Sequence, residues 1–151
     1  MNKALVFSSL RIAALLPLLF SPQLIACELS SIPAKQQQHG CGCNYYFPAK
    51  APLRPAIVLQ TQLDGTQAMM MREGALIELW GAQPKPFLIE PGTTSMQAYR
   101  YQNTAIKVEN TERPGCTFGQ QGCEVIGYLS QISMADNYQQ CQWLIQGDCG
   151  C

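Results

Sequence analysis

Downstream of residue 56 the chain alternates apolar and polar side chains in short runs broken by turn residues, the period of β-strands. Residues 56–63 are rich in β-formers and stop at Asp64-Gly65, a hairpin turn pair. Residues 66–72 are the expected partner strand, with Met69 and Met71 on one face and Met70 on the other. After Glu73-Gly74, a strand over 75–80 sets Ile77 and Leu79 against Leu76, Glu78 and Trp80, and a brief apolar run, Phe87-Leu88-Ile89, precedes Pro91-Gly92. Residues 97–101 and 104–109 read as a second hairpin about Gln102-Asn103, with Ile106 and Val108 opposing Lys107 and Glu109. The longest strand is 124–134, with Ile126, Tyr128, Ile132 and Met134 in phase; past Asp136-Asn137, residues 138–146 carry Cys141, Trp143 and Ile145 on one face. The aromatic triplet Tyr45-Tyr46-Phe47 needs burial, so the folded body begins near Cys41. Seven or eight short strands with local turns and no helical period predict an all-β domain, a small antiparallel barrel or a two-sheet sandwich.

The start of the chain has a different pattern. Lys3 and Arg11 precede an apolar run over 12–20, which Ser21-Pro22-Gln23 breaks. This is the layout of a secretory signal, covering 1–26, and is too short for a spanning helix of roughly 20 apolar residues. Leu24-Ile25-Ala26-Cys27 resembles the lipobox of bacterial lipoproteins. That resemblance implies that Cys27 is acylated, palmitate being a typical chain, and becomes the first mature residue. Glu28 is not the aspartate that retains such proteins in the inner membrane, so the resemblance implies an outer-membrane anchor in the bacterial cell envelope, facing the periplasm or the surface. Residues 27–40, with Ser30-Ser31, Pro33 and three glutamines, have no hydrophobic period and read as a tether to a β-rich domain over 41–151.

Charge narrows the partners. Without Lys3 and Arg11, eight Lys and Arg stand against ten Asp and Glu, scattered along the chain. No basic stripe is present for phosphates to engage, so nucleic acid is not an expected partner, and no basic amphipathic stretch adds membrane contact beyond a lipid. The partners expected are the membrane, through the anchor, and a protein.

Cysteine is the most distinctive component. Eight cysteines in an exported chain are read first as disulfides, because the compartments beyond the inner membrane are oxidising. Two copies of one tripeptide, Cys41-Gly42-Cys43 and Cys149-Gly150-Cys151, bracket the β domain. Ties from Cys41 or Cys43 to Cys149 or Cys151 would fasten its start to its end. Cys116 and Cys123 flank a glycine-rich loop and form the best local pair, and Cys141 could take one of the remaining partners. A lipidated Cys27 would leave seven cysteines and one odd thiol.

The same sulfurs, with His39, admit a sharper reading. If the ends of the domain meet, His39, Cys41, Cys43, Cys149 and Cys151 could hold zinc or Cu(I). Cys-x-Cys is less diagnostic than paired Cys-x-x-Cys, so no metal or other cofactor is assigned. A Cys-Gly-Cys can also cycle between dithiol and disulfide, but that chemistry favours a thiolate near a helix N-terminus or a cation, and none is expected here. The triplet of methionines 69–71 invites copper as well, though methionines commonly fill core gaps. His39 is the only histidine, and Glu73, Glu78 and Glu90 are the carboxylates that a glycosidase pair would need; no nucleophile elbow, HExxH or phosphate loop is present. The expectation is a protein without catalysis.

The stretches 74–79, 99–101 and 123–128 and the ending Gly147-Asp148-Cys149-Gly150-Cys151 resemble a group of small bacterial exported proteins and lipoproteins that end in Gly-x-Cys-Gly-Cys. The resemblance covers roughly two thirds of the chain after the signal, implies export, and brings no activity with it. The plan of lipobox, small barrel and terminal cysteines is also similar to the membrane-bound inhibitors of c-type lysozyme. Their Ser-Gly-x-x-Tyr loop is missing, so no inhibitory residue is carried over. The reading that results is a lipid-anchored envelope protein with a structural or interaction role. An inhibitor-like binding module is the alternative, and a metal-handling or thiol-redox protein the third.

Overall fold

The computed structural model describes residues 27–48, 55–82, 94–114, 116, 121, 122 and 124–151. The signal segment, Phe87-Leu88-Ile89, Glu90 and Cys123 lie outside them. Eight strands follow in order: β1 (Gly42–Tyr46), β2 (Ile57–Gln62), β3 (Gln67–Arg72), β4 (Ala75–Gly81), β5 (Thr94–Tyr101), β6 (Thr104–Glu112), β7 (Val125–Ala135) and β8 (Gln140–Gly150). Each pairs antiparallel with the next, and β1 also pairs with β8, so the sheet closes into an up-and-down barrel rather than splitting into a sandwich. Tight turns make this possible. Glu73 and Gly74 both take positive φ, 51° and 79°, the left-handed pair that a two-residue hairpin demands.

Strand alternation separates a lumen from an outer face. Register places Tyr45 opposite Leu59 and Gly147, Met70 opposite Leu59 and Ile77, and Ile106 opposite Tyr99 and Met134. All these residues are buried. Glu78, Lys107 and Glu109 point outward, the last two paired at 2.7 Å. An eight-stranded barrel is just wide enough for side chains to fill, and three tyrosines, Tyr45, Tyr99 and Tyr128, occupy much of this one. Burial of the phenols pushes Tyr99 and Tyr128 up to about 12, and Tyr45 upward as well.

Three strands run further than the sequence pattern suggests, and β5 does so by starting at Thr94. β6 continues to Glu112, because Asn110 keeps the inward phase of Ile106 and Val108 although it is polar. Its amide is satisfied in the lumen: Nδ2 donates to the Tyr45 hydroxyl at 3.2 Å, and Oδ1 accepts from Ser130 Oγ at 2.6 Å. β8 continues to Gly150, through a glycine that the lumen requires. A Cβ at Gly147 would lie 2.8 Å from the Tyr45 ring, so that aromatic can pack fully buried only over a bare backbone.

The stretch expected as a tether is instead an arm packed on the barrel. β2 and β3 pair only at Leu59, Gln60 and Thr61, and where they part the arm fills the opening: Ser30 bridges to Met71, and Ile32 N donates to the Ile57 carbonyl at 2.7 Å. Leu29 joins the core, and Ile32 is 2% exposed. A single 3₁₀ turn (Ala34–Gln36) then carries the arm outside the sheet toward β1. Gln38 N donates to Gln60 Oε1, and Gln60 Nε2 donates to the Gln38 carbonyl and to Asn44 Oδ1. Gln60 is therefore buried although it faces outward, as is Met69 opposite it. The segment lacks a hydrophobic period because its anchors are few: Leu29 and Ile32, three residues apart, and Cys27, bonded to Cys141.

Candidate functional site

The two ends of the barrel differ in chemistry. At one end lie the start of β1, the β2–β3 turn and the end of β8. There the two Cys-Gly-Cys motifs meet in register, with Cys43 opposite Cys149 and Gly42 opposite Gly150. Cys43 bonds to Cys149 and Cys41 to Cys151, so two disulfides sit two residues apart on the same face of the β1–β8 seam. The inner one is buried, with Cys43 and Cys149 at 1% and 3% exposure, while Cys41 and Cys151 are exposed. The glycines between them are needed for close approach. A Cβ at Gly42 would stand 2.6 Å from the Thr61 carbonyl oxygen, and one at Gly150 would collide with the Glu124 carbonyl. A clasp lies just beyond: Asp148 accepts from the Tyr46 hydroxyl and, at 3.2 Å, from Arg113 Nη2, whose guanidinium lies over Gly127. Burial and the carboxylate raise the Tyr46 phenol to about 12.

A groove of about 540 Å³ opens beside this seam. Gln38, His39, Cys41, Asn44, Gln62 and Asp64 are among its walls. Asp64 accepts from the backbone and hydroxyl of Thr66 and is held below the ordinary carboxylate range by those bonds.

The opposite end is built from the β3–β4, β5–β6 and β7–β8 turns. Asp136 organises it. Its Oδ1 accepts from the backbone N–H groups of Tyr138 and Gln139 at 2.8 and 2.9 Å, and its Oδ2 faces Arg72 Nη2 at 2.5 Å. The same bonds, the Tyr138 amide foremost, hold its carboxyl below the usual range. Arg72 Nη1 also donates to Thr104 Oγ1, so one guanidinium ties three turns together. Tyr138 projects from this fixed turn with 88% of its surface exposed, over a groove of about 430 Å³ that Arg72, Tyr101 and Asp136 help to line. A tyrosine displayed on a hydrogen-bonded turn leaves little backbone freedom to be lost on binding, and only two side-chain torsions to fix.

The expected site residues distribute as follows. Cys27, expected to carry lipid, is bonded to Cys141, and its carbonyl accepts from Trp143 Nε1 at 3.1 Å. A sulfur in that bond is not free to hold a thioether. Cys116 is disulfide-bonded too; its expected partner Cys123 lies outside the described residues. Of the five candidate metal ligands, four are consumed in the two seam disulfides, and His39 is exposed. Met70 faces the lumen while Met69 lies on the opposite face of the strand, so the methionines do not converge. Glu73 sits in a turn and Glu78 accepts from Gln67 on the outer wall, so those two do not form a facing pair. Tyr138 and Arg72 escaped the sequence reading. Asp136-Asn137 marked the turn, but nothing in the local pattern ties Arg72, 64 residues upstream, to it.

Comparison with protein-family models, with curated proteins and with solved structures finds no match for this chain.

Proposed function

We propose that the protein is a non-catalytic interaction module of the bacterial cell envelope, working through its turn end. The observation that carries this reading is Tyr138, exposed yet held on a turn that Asp136 and Arg72 make rigid. A lumen packed with tyrosines and aliphatic side chains leaves recognition to the outside of the barrel. Charged residues on the outer wall and apolar ones within are the reverse of a membrane-spanning barrel, which favours an aqueous compartment. The disulfides favour an oxidising one.

Attachment turns on one sulfur. The Cys27–Cys141 bond and the packed arm favour a mature protein that is exported and unlipidated. The second reading, an outer-membrane lipid anchor, is favoured by Leu24-Ile25-Ala26-Cys27 and would leave Cys141 as a thiol. Intact mass of the protein from its host, with and without thiol alkylation, separates the two: added acyl mass with one alkylated Cys141 establishes the anchor, and an unlipidated, fully oxidised chain removes it.

The interaction reading is tested by photo-crosslinking in cells from position 138 and, as a control, from position 107 on the outer wall. A discrete adduct from 138 alone is the expected result. Equal labelling from both positions sinks the assignment of the turn end. An inhibitor-like role is checked by adding the protein to c-type lysozyme, where unchanged activity excludes that target.

A further inference from the structure

We propose that the outer seam disulfide, Cys41–Cys151, is a thiol–disulfide exchange site for small-molecule thiols, and that the inner bond, Cys43–Cys149, keeps the barrel closed while it turns over. Three observations carry this. The first is exposure: both sulfur-bearing residues of the outer pair are exposed, whereas those of the inner pair are at 1% and 3%. Exchange requires a thiolate to reach a disulfide sulfur, so access separates two bonds that are otherwise alike. The second is redundancy. Both bonds join β1 to β8, and the inner pair sits in register at the strand ends, so opening the outer bond releases only the residues beyond the last paired glycines. The third is the groove of about 540 Å³ against Cys41, walled by the amides of Gln38, Asn44 and Gln62 and by Asp64. Amide walls suit a ligand bearing ammonium and carboxylate groups. The ionised Asp64 favours one without net negative charge, and cysteine itself meets both conditions.

The chemistry balances with two thiols. A cysteine thiolate attacks Sγ of Cys41 or Cys151, the protein S–S bond breaks, a mixed disulfide forms, and the departing protein thiolate takes a proton from water. A second cysteine thiolate attacks the small-molecule sulfur of that mixed disulfide and releases cystine and the second protein thiol. The protein gains two electrons and two protons, and two cysteines are oxidised to one cystine. The reverse sequence reoxidises the site.

The test uses the full mature chain in cysteine/cystine buffers, with acid quenching, alkylation and peptide mass spectrometry over time. Cys41 and Cys151 are expected to become alkylated together, at least about 10-fold faster than Cys43, Cys149, Cys27 and Cys141, while the near-UV circular dichroism stays unchanged. Equal rates for the two seam bonds, or opening of Cys41–Cys151 only together with loss of the near-UV signal, overturns the proposal. Cys151→Ser provides a second measure. Incubated with cystine, it should gain the mass of one cysteine at Cys41, and a folded variant without that adduct also overturns it. Neither readout involves Tyr138, so this proposal and the interaction reading fail independently.

Discussion

The cysteine end and the turn end of this barrel achieve rigidity by different means. At the cysteine end it is covalent: two disulfides in register, with glycines between them that let neighbouring strands come close. At the turn end a single carboxylate and a single guanidinium bind three turns through hydrogen bonds and charge. Covalent lacing constrains the unfolded chain whatever the solvent, whereas a charge-based knot responds to pH and salt. The difference teaches that the end fastened covalently need not be the end that displays an exposed side chain. The laced end can hold the fold while the turn end displays a side chain.

Breaking the lace should have the largest effect. The seam bonds close loops of 106 and 110 residues, and the chain-entropy account assigns about 4.7 kcal/mol to a loop of 100. Replacing all four seam cysteines by serine should therefore lower the urea unfolding free energy by about 4 to 5 kcal/mol. Replacing only Cys41 and Cys151 should cost far less, because the inner bond already closes nearly the same loop. Equal losses in the two variants would show that the bonds are not redundant. Next in size is Gly147→Ala, which drives a methyl group into the Tyr45 ring and should cost about 1 to 3 kcal/mol in the same measurement, with no change at Tyr138.

The smallest effect on stability belongs to the turn end, and it is a pH effect. Asp136 has a depressed pKa, so its contribution is complete above the ordinary carboxylate value and is lost as pH falls through its own, lower value. The amide resonances of Tyr138 and Gln139, followed by NMR from about pH 6 to about pH 2, should move together below the usual carboxylate range of about 4. Asp136→Asn should remove that transition and leave the unfolding midpoint close to that of the parent. A transition that survives in the variant would assign the turn's order to another group.

Much of this architecture was legible because local physics decides it. Alternation in 66–72 and 75–80, and the turn pairs Asp64-Gly65 and Glu73-Gly74, fix hairpins without distant information, and the observed β3 and β4 begin and end within a residue of those runs. Closure was half legible: the repeated Cys-Gly-Cys pointed to a fastening of first to last strand, but only the register of β1 on β8 decides which sulfur meets which. Asn110 was hidden because a polar residue in the inward phase looks like a strand's end until its partners, Tyr45 and Ser130, are known. The Cys27–Cys141 bond was hidden for another reason. The lipobox resemblance removed Cys27 from the set of sulfurs to be paired, and no local pattern announces that the arm packs on the barrel through Leu29 and Ile32 and so brings Cys27 to β8, 114 residues along the chain.

In-register pairing of the first strand with the last also bears on biogenesis. If the chain is exported amino end first, as proposed above, Cys27, Cys41 and Cys43 would reach an oxidising compartment well before β8 does. Their native partners are all more than 100 residues away, while each other's thiols are within reach. An oxidase acting on cysteines in the order of their arrival would join the wrong ones. Exported in that order, the chain would need any early disulfides reshuffled, and one edge each of β1 and β7 would stay open until the carboxyl-terminal strand arrives between them.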